Sequence, residues 1–152
     1  MNLNKKYLGN NILEYLSEYE FNQLNKLTLT HNNINNITNI KSLKSRNLEF
    51  LSLSNNKIVD ISPLSQCDFP ELKKLFLYGN EIRDISPFQN SKFPKLETLS
   101  LSSNSISNIT SIQNFNFPNL KVITLDNNKI ADISVLENAH FDKLEKIGLN
   151  NN

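Results

Sequence analysis

The chain has 152 residues, enough for one domain with a sizeable core. Its 16 basic and 15 acidic residues leave a net charge of +1, which argues against a nucleic-acid or membrane-surface binder working through a broad basic surface. No apolar run approaches the roughly 18 residues of a membrane span, no h-region follows the opening "MNLNKKYLGNN", and the lone Cys67 has no internal disulfide partner, which fits a reducing, cytoplasmic setting. Asparagine is the unusual residue, at 27 positions. It alternates with Leu and Ile at fixed intervals, which points to order rather than low complexity.

Residues 1–23 stand outside the periodic pattern that follows and are expected to form an N-terminal cap. Leu8, Ile12, Tyr15 and Tyr19 fall at the spacing of one helical face. A second reading is a degenerate repeat, because "YLGNNI" echoes the later "LYGNEI"; Lys5 then takes a core leucine position. From Leu24 onward the chain repeats every 24 residues, with Leu24, Leu48, Leu72, Leu96, Leu120 and Leu144 each opening the phrase L-x-x-[LI]-x-L-x-x-N-x-I. Within it, Leu75 and Leu77 alternate with Lys74, Phe76 and Tyr78, the period of a strand with one buried face. Farther on, Ile82, Ile85 and Phe88 follow a three-residue spacing that suits a 3-10 path. Ser62 before Pro63 and Ser86 before Pro87 read as helix N-caps, with Thr38, Thr110 and Ser134 as caps lacking the proline. Phe21, Phe69, Phe93, Phe117 and Phe141 recur before each new leucine and predict an aromatic spine, with a gap at Ser45.

The phrase resembles the leucine-rich repeat family over residues 24–152, as five full repeats and a truncated sixth. Its second half, "IVDISPL", is most similar to internalins and to regulatory subunits of type-1 protein phosphatase. The repeat is two residues longer than the usual 22 of those proteins, around "DFP" and "KFP". The resemblance implies an α/β solenoid, a horseshoe with a parallel concave sheet and short helical or 3-10 segments on the convex side. A lone repeat should not fold, and stability is largely a property of the stacked interfaces. The strands should therefore be covered at both ends. The chain stops on "GLNNN" with Leu144, Ile147 and Leu149 in its last strand, so a fragment of a longer array is expected, or an end covered by a partner or another copy.

Each repeat carries one asparagine after the strand: Asn32, Asn56, Asn80, Asn104, Asn128 and Asn152. A buried amide has donors and an acceptor for the backbone groups of a turn that the sheet leaves unpaired, so these residues should form an internal ladder. The position after each opening leucine alternates in sign through Glu49, Lys73, Glu97, Lys121 and Glu145, which suggests a charge column along the strands.

No motif of enzymatic chemistry is present. His31 and His140 fall at different repeat positions and call for no metal. Asp60, Asp84 and Asp132 share one turn position with Asn36 and Asn108, which favours a local turn or cap role over a calcium row. Asn36 and Asn108 also open N-x-[ST] patterns, which repetition explains. Cys67 aligns with Leu43, Ser91, Phe115 and Ala139, a small convex position.

The positions that the repeat leaves free are the informative ones. The concave columns hold mostly small polar residues, read as solvated. Phe50, Phe76 and Tyr78 are the exceptions, and they predict an exposed aromatic patch with Lys74, Lys57 and Glu81 as a charged rim. The function read from this is a non-enzymatic, cytoplasmic protein-binding scaffold using its concave face, with no cofactor and a protein partner. Alternatives are a structural module that self-associates through its C-terminal end, and a secreted adhesin-like binding module.

Overall fold

The computed structural model describes residues 1–152. Strands β1 (Lys26–Thr28), β2 (Phe50–Ser52), β3 (Lys74–Phe76), β4 (Thr98–Ser100), β5 (Val122–Thr124) and β6 (Lys146–Gly148) form one parallel sheet in sequence order. Register follows the repeat without slip: Lys26 lies opposite Phe50, Phe50 opposite Lys74, and so on to Val122 opposite Lys146. On the other side of the core, 3-10 helices run over Thr38–Ser42, Ser62–Gln66, Ser86–Asn90, Thr110–Asn114 and Ser134–Asn138. This is the leucine-rich repeat solenoid. No helix is long and apolar enough to cross a membrane.

The core is one continuous cluster in which each repeat contributes the same positions: Leu48, Leu51, Leu53, Ile58, Ile61 and Leu64 in one, Leu72, Leu75, Leu77, Ile82, Ile85 and Phe88 in the next, all buried. Alternation inside each three-residue strand sends one side chain into this core and two onto the concave face.

The turn after each strand is built by two neighbouring columns. His31, Asn55, Ser103, Asn127 and Asn151 all have φ between 52° and 57°, and Gly79 has φ +66°. Asn and Gly are the residues that accept this left-handed conformation most readily. At Gly79 a Cβ would also meet the Asn55 amide oxygen, so a larger residue there would displace that side chain. The next residue is the ladder asparagine. Asn56 Nδ2 donates to Leu29 O (2.9 Å) and Leu53 O (2.8 Å), while its Oδ1 accepts from the Asn32 and Ile34 amides at 2.9 and 3.1 Å. Asn80 and Asn104 repeat the donor pair, and their oxygens accept from Ile58 and Ile82. Asn128 and Asn152 make the same bonds from partly buried and exposed positions.

The caps of the 3-10 helices bear out the turn or cap role expected of Asp60, Asp84, Asp132, Asn36 and Asn108, and not the N-cap role expected of the serines and threonines. The serines and threonines read as N-caps are the first helical residues, and none caps with its side chain. The cap lies two residues earlier. Asp60 Oδ1 accepts from the Ser62 amide at 2.7 Å and Asp84 Oδ1 from Ser86 at 2.8 Å. Asn36, Asn108 and Asp132 do the same. The short Asx side chain reaches an amide two residues on, which makes the turn itself the cap. These bonds hold the Asp132 carboxyl below its ordinary value.

The aromatic spine is also more local than a stack through all repeats. Phe69, Phe93 and Phe117 are buried, whereas Phe21 and Phe141 are only partly so. Phe93 stacks on Phe117 at 6.3 Å, and Phe117 is further flanked by Phe88 and Phe115 at 6.0 and 5.4 Å. Phe115 occupies the column expected to hold small residues. At the gap, Ser45 is buried and its hydroxyl donates to Leu24 O at 3.1 Å.

The N-terminal segment combines strand-like pairing with a short helix. Leu3 and Lys5 amides pair with Thr28 and Thr30 carbonyls at 2.9 Å, and Lys6 and Leu8 amides donate to Asn32 Oδ1. Lys5, with φ 54°, sits at the left-handed turn position, not at a core leucine position. Helix α1 (Asn11–Ser17) follows and packs against the first 3-10 helix. It buries Leu13 and Leu16, while Tyr15 and Tyr19 are 63% and 49% exposed. The stripe anchored at Leu8 fails because Leu8 belongs to the preceding turn, outside the helix.

Candidate functional site

The concave face is set by strand alternation and repeat register. Phe50 is the first residue of β2 and Phe76 the last of β3, so they stand diagonally on neighbouring strands. Their rings lie 5.1 Å apart at 31°. Both are half-buried, less exposed than an isolated patch would be, because each covers the other. Tyr78, two residues beyond Phe76, is 43% exposed and its ring pairs with no other aromatic. Lys74 is exposed and lies directly opposite Phe50. Lys57 and Glu81 are exposed, but they follow the ladder asparagines, beyond the left-handed turn. Neither takes part in an ion pair within 4.0 Å. The structure therefore groups Phe50, Phe76 and Lys74, with Tyr78 beside them and Lys57 and Glu81 apart.

One residue of the site escaped the sequence reading. Lys26, opposite Phe50 on β1, holds its ammonium 4.6 Å from the centre of the Phe50 ring, a cation–π contact. Its signal was available: it precedes Phe50 in the same concave column.

The small polar residues of the concave face are less solvated than expected: Thr30, Thr98, Ser100 and Thr124 are partly buried. Thr28, Ser52, Ser54 and Ser102 are all buried, crowded by the side chains of adjacent strands. Ser102 Oγ donates to Asp126 Oδ2 at 3.2 Å, and Asp126 Oδ1 accepts from the Asn150 amide and from Asn150 Nδ2 at 2.9 and 2.7 Å. These hydrogen bonds, the Asn150 amide first, hold the Asp126 carboxyl below its ordinary value. A Cβ at position 148 would strike the same carboxylate, so Gly148 leaves room for it in its present position.

The charge column at the strand starts resolves into separate pairs. Lys73 Nζ lies 3.0 Å from Glu49 and Lys121 Nζ 3.3 Å from Glu97, each lysine taking the acid of the preceding strand. The hydrogen bond to Glu49 raises the Lys73 pKa. Cys67 is buried, and burial pushes its thiol up to about 12, so it is not a nucleophile at neutral pH.

The "Leucine Rich repeats (2 copies)" family model matches residues 46–90, 70–114 and 94–138. Among solved structures, an internalin (inlF) from Listeria monocytogenes is similar at a TM-score of 0.68 and 32% identity, over 83% of this chain and 34% of that one. Internalin C2 (inlC2) from the same organism gives 0.64 and 33%, over 80% and 50%. The chain thus spans a third to a half of the length of these internalins. The ectodomain of the receptor kinase SOBIR1 from Arabidopsis thaliana, at 0.60 and 23% identity over 83% and 69%, shares the fold. No curated protein matches the chain. With its 24-residue register, its asparagine turns and these matches, the chain belongs to the leucine-rich repeat family.

Proposed function

We propose that the chain is a non-enzymatic scaffold that binds another protein on its concave face, in the cytoplasm and without a cofactor. Leucine-rich repeat proteins are generally protein-binding modules. The observation that carries the concave assignment is the Phe50–Phe76 pair with Tyr78 beside it, large aromatic area on a face that elsewhere holds mostly small or charged side chains. Aromatic residues are preferred anchors at interfaces, where truncating one can cost 2 kcal/mol or more of binding. The free, buried Cys67 suits a reducing compartment.

The test is capture of the partner from the source cell by the full chain, then calorimetric binding with Phe50→Ala, Phe76→Ala and Tyr78→Ala. Each should weaken binding while the variants remain folded. Unchanged binding in all three would move the site off the concave face.

A further inference from the structure

Resting on that concave reading, we infer that the partner presents an acidic, extended peptide segment, with a carboxylate taken by Lys26 and Lys74 and an apolar side chain laid on the Phe50–Phe76 pair. The strand register sets Lys26, Phe50 and Lys74 side by side on β1, β2 and β3. At about 4.8 Å per strand the two lysines are separated by roughly 10 Å at the backbone, within reach of one bound carboxylate for two flexible side chains.

The charge balance points the same way. The molecule has four ion pairs: Arg46–Asp68, Lys73–Glu49, Lys95–Glu71 and Lys121–Glu97. Lys26 and Lys74 belong to none of them. A recess of about 180 Å³ lies between Glu49, Phe50, Lys73 and Lys74. The one carboxylate facing it, Glu49, is already held by Lys73. The site is therefore locally cationic although the whole chain is nearly neutral. The Phe50 ring under Lys26 holds that ammonium on the concave surface. Two cations are too few to follow a nucleic-acid backbone, which asks for a basic stripe. They suit a carboxylate next to an apolar anchor.

Twelve-residue peptides in a Gly-Ser background, carrying Glu-Phe-Glu, Gln-Phe-Gln or Lys-Phe-Lys at the centre, test this by NMR titration of the isotope-labelled full chain. A thymidine dodecanucleotide is the fourth probe. The acidic peptide should shift Lys26, Phe50, Lys74 and Phe76 and bind about fivefold or more tighter than the neutral one. The preference should shrink when salt rises from about 0.05 to 0.5 M, and the variant carrying Lys26→Gln and Lys74→Gln should lose it while remaining folded. Equal affinity for the three peptides, or tighter binding of the oligonucleotide, overturns the acidic assignment and leaves the concave reading standing. Shifts confined to other surfaces, or none with any probe, remove both.

Discussion

Phenylalanine occurs on both sides of this sheet with opposite consequences. On the convex flank Phe93 is fully buried, stacked on Phe117 at 6.3 Å. On the concave face Phe76 is half-buried and touches Phe50 at 5.1 Å, with small polar columns around them. Residue type is the same; repeat position differs. The convex ring recurs in register and belongs to the core, where neighbouring repeats supply its contacts. The concave ring appears once in its column, so nothing in the stacking of repeats requires it. A side chain that the architecture requires and one that it merely permits answer differently to truncation, and that difference can be measured.

The largest expected effect is therefore at the convex ring. Phe93→Ala should cost roughly 3–5 kcal/mol of stability, as loss of a buried phenylalanine does, and affect partner binding only through unfolding. Phe76→Ala forfeits a half-buried ring and one aromatic contact, worth about 1 kcal/mol, yet should lose binding. Urea unfolding of both variants decides the matter. Equal losses of stability would break the contrast between the two faces.

The turn that joins those faces comes next. Asn80→Ala removes the donor to Leu53 O and Leu77 O and the acceptor of the Ile58 amide, all buried. The expected cost is about 1–3 kcal/mol, the desolvation of backbone groups left unpaired. Ser107→Ala, at an exposed position of the descending segment, should stay within about 0.5 kcal/mol. Ser102 would be a poor control, since it is buried and bonded to Asp126. Coincident midpoints for Asn80→Ala and Ser107→Ala would deny the amide its structural role.

These comparisons also show what could be read in advance. The 24-residue period sets register, strand order and core positions, because a repeat fold contacts mainly its neighbours and repeats every contact. The asparagines were readable for the same reason: a polar residue fixed inside an apolar phrase must satisfy the turn around it. The N-terminal segment was harder. It has no second copy to compare with, and apolar residues on both sides of a seven-residue helix allow more than one buried face. Both Asp60 and Ser62 were read as capping residues, and only geometry tells that it is the Asp60 side chain that bonds the amide. At the site, Phe50 and Phe76 were visible as departures from their columns. Lys26 was visible only as the residue preceding Phe50 in that column, and its role depends on where its ammonium rests.

Within the concave face, Asp126 separates charge from packing. Its lowered pKa follows from hydrogen bonds made by the Asn150 amide, the Asn150 side chain and Ser102. A folded-state value below the unfolded one contributes stability above the ordinary carboxylate pKa of about 3.9. That contribution disappears as pH falls through the folded value. Asp126→Asn should thus lower stability at pH 7 by up to about 1 kcal/mol, the limit that solvent screening sets for a partly exposed group. The gap to the parent chain should close as pH falls from the ordinary carboxylate range through the lowered folded-state value. A gap independent of pH would assign the loss to the altered packing against Gly148 and Ser102.

The smallest effect is expected at the strand starts, where Lys73 pairs with Glu49 and Lys121 with Glu97. These side chains are well exposed, so each pair contributes little and salt screens it. The raised Lys73 pKa fixes the sign: its contribution is complete below the ordinary lysine value and is lost as pH rises through the folded one. Lys73→Glu and Lys121→Glu should each lower the urea midpoint slightly, and added salt should recover part of each loss. Together they would leave five consecutive acids along the sheet, with Glu49, Glu97 and Glu145 between and beside the new ones. If the native contacts are separate pairs, the two single losses should nearly sum to the double at high salt, where long-range repulsion is screened. A double variant far worse than that sum at high salt would mean that the lysines act as one connected column, and a loss insensitive to salt would mean that charge is not what these positions contribute.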